Sequence, residues 1–377
     1  LVTVAIGALV NSPGAAAALT GWDHPELVAD EWEQVHRMPP GRVASYYRTS
    51  SSPCLSPEGI AAFVAYLREV AARGEAIDPG ALGADDRMQD QLLRAQLAGS
   101  RYADRKPIGK PEIIQKAQRE QLVRFYHDWY RPNLMAVIVV GDVQPAAVVE
   151  MITSHFGSLV NPTPARPRPA FDVPERPDTR YLIITDKETT TTTVTLSNLR
   201  PARPQDSVGG YRQIMMDQLF GDMLASRLEE LEQKENPPFL RVGAGRGLFP
   251  APRTRDEAVL QALVPNGGVT RGLDALVTEL QRVSRFGFTA TELDRAKQAR
   301  LLSYERGVTE SPDRESESRA DEYTRNFLQR EALPTVAQEL AFHRRFLPTI
   351  TLAEINALAG QWFPESNRLV IVSAPEA

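Results

Sequence analysis

Side chains able to bind a metal or relay protons are sparse in this chain. Its 377 residues contain five histidines, His24, His36, His127, His155 and His343, and one cysteine, Cys54. A hydrolytic zinc centre needs about three nitrogen, sulfur or carboxylate ligands around an open position, and two of them usually sit one helical turn apart. No two of these histidines are three or four residues apart, and neither H-E-x-x-H nor H-x-x-E-H occurs. The G-x-S-x-G nucleophile elbow and the G-x-x-x-x-G-K-[ST] phosphate loop are absent too.

The remaining candidates are weaker. His127 stands beside Asp128 in RFYHDWYRP, where a His–Asp relay can be drawn, but no nucleophile stands at a matching spacing, and an ordinary helix histidine is the simpler reading. His155 precedes Phe156-Gly157 at a helix end, where a cation suits the dipole. His24 and His36 lie with Glu31 and Glu33, either as a metal cluster or, more simply, as an acidic loop. Cys54, in a Ser-Ser-Pro-Cys stretch, reads as a bystander. Gly243, Gly245 and Gly247 alternate rather than follow G-x-G-x-x-G, so close backbone approach in a bent strand is favoured over a dinucleotide loop. Asp313–Glu322, DRESESRADE, alternates charge and reads as a solvated helix face.

Composition narrows the classes further. With 42% hydrophobic residues the chain can bury a sizeable core, and its length suits two domains. A net charge of -5 without a clustered basic patch excludes nucleic acid as the expected partner. One cysteine excludes an internal disulfide framework. No run reaches the ~18–20 apolar residues of a membrane helix. Leu1–Val10 followed by Ala15–Ala18 has the look of a secretory core and cleavage site without a basic start, and a buried strand is the competing reading.

Periodicity supplies the elements that must carry any site. The proline-rich stretch Asn161–Arg180 divides the chain. Beyond it, Tyr181–Thr185 and Thr191–Ser197 read as strands, and Met215, Leu219, Met223, Leu224, Leu228 and Leu231 mark one face of a long helix ending before Pro237-Pro238. Leu240–Gly245 and Ala258–Val264 follow as strands, then a helix over Gly272–Arg285. Thr289 with Glu292, and Thr351 with Glu354, are capping boxes that open further helices; Ser311-Pro312 opens another. Each half ends alike. Leu122, Phe125 and Trp129 on a helix lead through Pro132 to the strand Met135–Val140, and Ile355, Leu358 and Trp362 lead through Pro364 to Leu369–Val372. That recurrence suggests duplicated domains.

Six segments carry a resemblance: GSRYADRKPIGKPEII (Gly99–Ile114), FYHDWYRPNLMAVIVVGDV (Phe125–Val143), RLEELEQKENPPFLRVGAGRG (Arg227–Gly247), RFGFTATELDRAK (Arg285–Lys297), EYTRNFLQREALP (Glu322–Pro334) and LPTITLAEINALAGQWF (Leu347–Phe363). From about Gly83 onward the chain resembles the bacterial pitrilysin-like branch of the insulinase family of zinc metallopeptidases, in its N-terminal half. The resemblance implies an α+β fold of two related domains, each a mainly antiparallel sheet flanked by helices. Residues 1–160 are then an incomplete first domain, with 1–82 unmatched to the family; 161–180 are a linker; and 181–377 are the second domain.

In that family an H-x-x-E-H helix supplies two zinc ligands and the base, and a later glutamate completes the site. Here that motif is missing. The acidic pair expected near AARGEAIDPGALGADDR falls on Ala76 and Ile77, with Glu75 the nearest carboxylate. The family's Arg/Tyr substrate pair belongs to its other half, and the comparable stretch here ends in Pro238-Phe239. No catalytic residue and no metal ligand therefore transfers, and zinc is expected in the family but not on this chain. The implied partners are a peptide substrate or a complementary peptidase half. The leading expectation is a portion of a zinc-dependent metalloendopeptidase that is inactive by itself. The alternative is a non-catalytic partner or scaffold subunit. The family's long bacterial forms point weakly to the periplasm or to secretion.

Overall fold

The computed structural model describes residues 4–7, 91–92, 94–103, 105, 113, 116–249, 253–310 and 316–376, which belong to two compact units. His24, Glu31, Glu33, His36, Cys54, Glu75 and the Ser311-Pro312 helix start lie outside the described residues, as does most of 1–82.

The first unit comprises Leu1–Ala76, Pro111–Arg168 and Pro312–Leu333. Strand β1 (Val4–Gly7) pairs in parallel with β2 (Val137–Val140), Val4 opposite Val137. Helix α1 (Arg119–Trp129) leads to β2 through a 3-10 turn, Pro132–Leu134, whose proline occupies the first position, where a missing N–H costs nothing. Helix α2 (Pro145–Phe156) also opens on proline. A further helix, Ser316–Gln329, returns to pack on both strands.

The second unit comprises Ile77–Lys110, Pro169–Ser311 and Pro334–Ala377. Its strands are β3 (Arg180–Asp186), β4 (Thr192–Pro201), β5 (Arg241–Leu248), β6 (Arg255–Val264) and β7 (Arg368–Pro375). They form one sheet in the order β3-β7-β4-β6-β5, antiparallel throughout except for the parallel β3–β7 pair. Its helices are α3 (Val208–Glu232), α4 (Val269–Phe286) and α5 (Ala290–Glu310), then, Ser316–Gln329 being α6, α7 (Val336–Phe346), α8 (Leu352–Ala357) and α9 (Ala359–Trp362). This is the α+β class expected, with a mainly antiparallel sheet flanked by helices.

Side chains alternate across the sheet because successive residues of a strand point to opposite faces. Val194 and Leu196 of β4, Leu260 and Ala262 of β6 and Val242 of β5 join Met215, Leu219, Phe220 and Leu224 of α3 in the main core. Ser207 caps α3 by accepting from the Gly210 N–H, and the apolar stripe read from the sequence is the face it buries. On the other face Gln96 donates to Ser197 Oγ (2.8 Å) and Glu257 Oε1 (2.7 Å), while Leu97 packs with Val173, Leu199 and Phe249. Both anticipated capping boxes form, and a third, Thr335 with Gln338, opens α7.

The helical layer is tied by Arg227 of α3. It binds Glu292 of α5 through Nε (2.5 Å) and Nη2 (2.9 Å), Glu279 of α4 (3.2 Å) and the Gly287 carbonyl (3.0 Å). Gly287 ends α4 at a φ of 69°, and a Cβ there would lie 2.5 Å from the Asn356 side chain, so only glycine fits. The Arg227 hydrogen bonds, helped by the Thr289 cap, hold the Glu292 carboxyl at a pKa of about 2, against 4.5 unperturbed. A depressed carboxylate pKa stabilises the fold fully above the unfolded value and loses that contribution as pH falls toward the folded one. Urea denaturation of the native chain is therefore expected to show falling stability between pH 4.5 and about 2. Glu292→Gln should remove part of this slope and cost about 1–2 kcal/mol at neutral pH, after allowing for solvent screening. An unchanged slope in the variant would show that the pair contributes nothing.

Candidate functional site

The sequence candidates for chemistry do not converge. Asp128 pairs with Arg166 (2.6 Å), which also lies 5.4 Å from the Trp129 ring, and no hydrogen bond between Asp128 and His127 is found among the described residues. His127 and His155 are exposed on α1 and α2. His343 is fully buried on α7, stacked 3.6 Å from the Tyr304 ring, with Nδ1 2.7 Å from the Glu339 carbonyl; burial pushes its pKa down. Among the described residues no group of three or more His, Cys, Asp or Glu side chains could hold a metal ion. The described residues thus do not fit a zinc centre.

A different constellation stands between α3 and the end of the sheet. Asp217 of α3 and Asp256 of β6 are buried, at 2% and 0% exposure. Arg203, just after β4, bonds Asp217 and donates through Nε to Asp256 (2.6 Å). The indole of Trp362, at the end of α9, donates to the other Asp217 oxygen (2.9 Å). Arg246 of β5 joins at longer range, 3.8 Å from Asp217 and 3.4 Å from Asp256, and its Nη2 donates to the Pro201 carbonyl at 3.5 Å. Burial lowers the pKa of both arginines, and for Arg203 the neighbouring Arg246 lowers it further.

The register explains why charge collects here. Asn198, Ala258 and Arg246 form one row across β4, β6 and β5, and Arg200, Asp256 and Leu248 form the next. They continue the helix-facing surface that Val194, Leu196 and Leu260 begin. The apolar core thus ends in a polar row at one margin of the sheet. At Gly221, α3 faces β5 and the last helical turn, and a Cβ there would make ordinary van der Waals contact, 3.5 Å from both the Ala244 carbonyl and the Trp362 ring. Beside it is a cavity of about 180 Å³ lined by Arg203, Asp217, Gln218, Asp222, Gly245 and Arg246.

Strand β5 ends the sheet, and among the described residues no strand pairs with its outer side. The Phe249 N–H bonds the Arg255 carbonyl, which sets the alternation of the antiparallel ladder. By that alternation Gly243, Gly245 and Gly247 address β6, whereas Val242, Ala244, Arg246 and Leu248 turn their backbone groups to the free edge. The sequence expectation for these glycines was close backbone approach, and the strand differs. A Cβ at any of the three would meet nothing within 4 Å. Only strand pairing reveals the result, an edge that no strand among the described residues covers. The charged cluster was likewise unmarked in the sequence, because Arg203, Asp217, Arg246 and Asp256 have no local spacing in common.

Comparison with known proteins gives the site a context. Residues 116–300 match the family model described as Peptidase M16 inactive domain. The chain is 26% identical over 278 residues to a zinc protease PQQL-like protein of Arabidopsis thaliana, covering 74% of this chain and 26% of that one. It is 25% identical over 297 residues to the probable zinc protease PqqL of Haemophilus influenzae, covering 77% and 31%. The fold matches the crystal structure of the first half of the periplasmic protease PqqL from Escherichia coli with a TM-score of 0.73 at 19% identity, over 85% of this chain and 67% of that one. The chain thus spans between a quarter and a third of the length of these two curated relatives.

Removing one member of a buried charge cluster leaves the others unpaired, which costs about 3–5 kcal/mol. Arg203→Met is expected to destabilise the chain by about that amount in urea denaturation. Arg282→Met, which breaks the more exposed pair to Glu279, should cost under about 1 kcal/mol. Equal costs would mean that the cluster is not a structural tie.

Proposed function

The chain belongs to the insulinase/pitrilysin family of peptidases, and from that premise we propose that it serves peptide hydrolysis as a holding surface rather than as the hydrolytic centre. The observation carrying this reading is the free edge of β5. An extended peptide laid along it can form main-chain hydrogen bonds with the outward N–H and C=O groups of Val242, Ala244 and Arg246, a mode that supplies affinity with little demand on sequence. The glycines leave one flank open for the peptide's side chains. Support comes from the matched family model, described as an inactive domain, and from relatives named zinc proteases. The absence of H-x-x-E-H from the sequence points the same way. On this reading the zinc and the activated water come from sequence that this chain lacks, since a catalytic zinc needs about three ligands and an open position.

The same reading takes 1–160 and 181–377 as two related domains joined by 161–180, and a complementary half as the natural partner. It places the chain in the periplasm or outside the cell, where the Escherichia coli relative works as a periplasmic protease. No helix among the described residues is long and apolar enough to cross a membrane.

Binding of a labelled unstructured peptide, followed by fluorescence anisotropy, tests the edge. Ala244→Pro removes one outward donor at a position where an edge strand tolerates proline, and it should weaken binding about tenfold with little loss of stability. Peptide turnover with added zinc and with a chelator should be alike. Stoichiometric zinc by elemental analysis, with chelator-sensitive turnover, would overturn the non-hydrolytic reading; unchanged binding by Ala244→Pro would overturn the edge.

A further inference from the structure

We propose that the outer edge of β3 is an interface between two copies of this chain, in which the strand pairs antiparallel with itself about Ile183. The inference is independent of the β5 edge and concerns the opposite margin of the sheet. β3 pairs with β7 on one side, and among the described residues no strand pairs with its other side. The register puts Tyr181 in the row of Val370 and Ile183 in the row of Val372, on the helix-facing surface of the sheet. The helical layer stops short of them: Tyr181 and Ile183 are 73% and 72% exposed, whereas Val370 is 6% exposed. On the opposite surface Leu182 and Ile184 pack with Leu92 and Ala95. One apolar flank of the edge is therefore covered and the other is bare. Exposed edges are ordinarily blunted by proline, a bulge or an inward-pointing charge. Tyr181–Thr185 contains no charge, no proline and no glycine.

The symmetry of the strand selects a second copy as the occupant. The Asp186 carbonyl accepts from the Glu376 N–H, one position past its ladder partner Pro375. In a parallel ladder alternate residues bond the same neighbour, so Arg180, Leu182, Ile184 and Asp186 address β7. Tyr181, Ile183 and Thr185 turn their N–H and C=O groups outward, and that set is symmetric about Ile183. An antiparallel pair centred there joins Ile183 to Ile183 and Tyr181 to Thr185 as hydrogen-bonded pairs, with the exposed apolar side chains of both copies on one surface. At each end Arg180 of one copy stands opposite Asp186 of the other, in a non-hydrogen-bonded pair where side chains approach most closely. Arg180 is exposed and has a second cation, Arg176, near it. Asp186 already accepts the Glu188 N–H (2.9 Å), and a carboxylate has room for several donors. Such a pair is two-fold and closed, so association stops at the dimer.

Sedimentation equilibrium of the full chain at concentrations up to about 1 mM tests the pairing. The native chain is expected to show a reversible monomer–dimer equilibrium. Ile183→Lys sets like charges opposite each other on the two-fold axis, and Arg180→Glu sets a carboxylate opposite Asp186. Each should weaken the dimer about tenfold or more. Both residues are exposed, so the thermal midpoint of either variant should stay within about 2 °C of the native value. Ala244→Pro, which alters only the other margin of the sheet, should dimerise as the native chain does. A native chain that stays monomeric at every concentration would overturn the proposal. So would a dimer that Ile183→Lys and Arg180→Glu leave unchanged, or one that Ala244→Pro abolishes.

Discussion

The second unit is organised around a set of charges that cannot reach water. Asp217 and Asp256 are buried, and a carboxylate removed from solvent persists as an ion only where cations and donors replace its hydration. Arg203 bridges the two, and the Trp362 indole satisfies a further oxygen of Asp217. These four residues come from the connection after β4, from α3, from β6 and from α9. Bringing them together therefore fixes where the long helix lies on the sheet and where the last helical turn ends. Hydrophobic contact alone would tolerate some sliding of α3, since burial is non-directional. Hydrogen-bonded ions do not tolerate it.

The free edge and the cavity follow from the same arrangement. Helix α3 packs against β5, with Gly221 facing the Ala244 carbonyl and the Trp362 ring, so the helix covers the inner side of the last strand and leaves its outer margin bare among the described residues. An open edge is a liability that proteins usually blunt with charge, proline or a covering element. Here the edge strand keeps Arg241 and Arg246 but carries three glycines, a composition suited to receiving a second chain. Around the far side of the helical layer, Arg227 joins α3, α4 and α5 through two glutamates. The two arginine-centred ties lie on one helix-sheet sandwich, one closing the sheet margin and the other closing the helix ends.

Much of this architecture was legible in the residues. The period of three to four in Met215, Leu219, Met223 and Leu228 marked the buried face of α3, because a helix repeats every 3.6 residues. Thr289–Glu292 and Thr351–Glu354 announced helix starts, since capping is a local exchange of hydrogen bonds over three residues. Phe125–Val143 and Leu347–Phe363 were enough to suggest the family. Strand ends were less legible. Expected at Leu240–Gly245 and Ala258–Val264, the strands run in the structure over Arg241–Leu248 and Arg255–Val264, the first starting one residue later and ending three later, because pairing with a neighbour carries a strand past the point where alternation stops.

By itself the sequence determined the class of fold, the positions of β3 to β7 and of the helices α3, α4, α5 and α8 but not of α7, and the lack of an H-x-x-E-H motif anywhere in the chain. All are local properties, set by residues within one or two helical turns of one another. Tertiary structure alone decided that Arg203, Asp217, Arg246 and Asp256 share one buried site and that β5 rather than β6 ends the sheet. The partners in that site are separated by between 10 positions (Arg246 to Asp256) and 53 (Arg203 to Asp256) along the chain, so no spacing rule links them. They meet because antiparallel pairing places distant residues in one row and because buried charges require each other once water is gone.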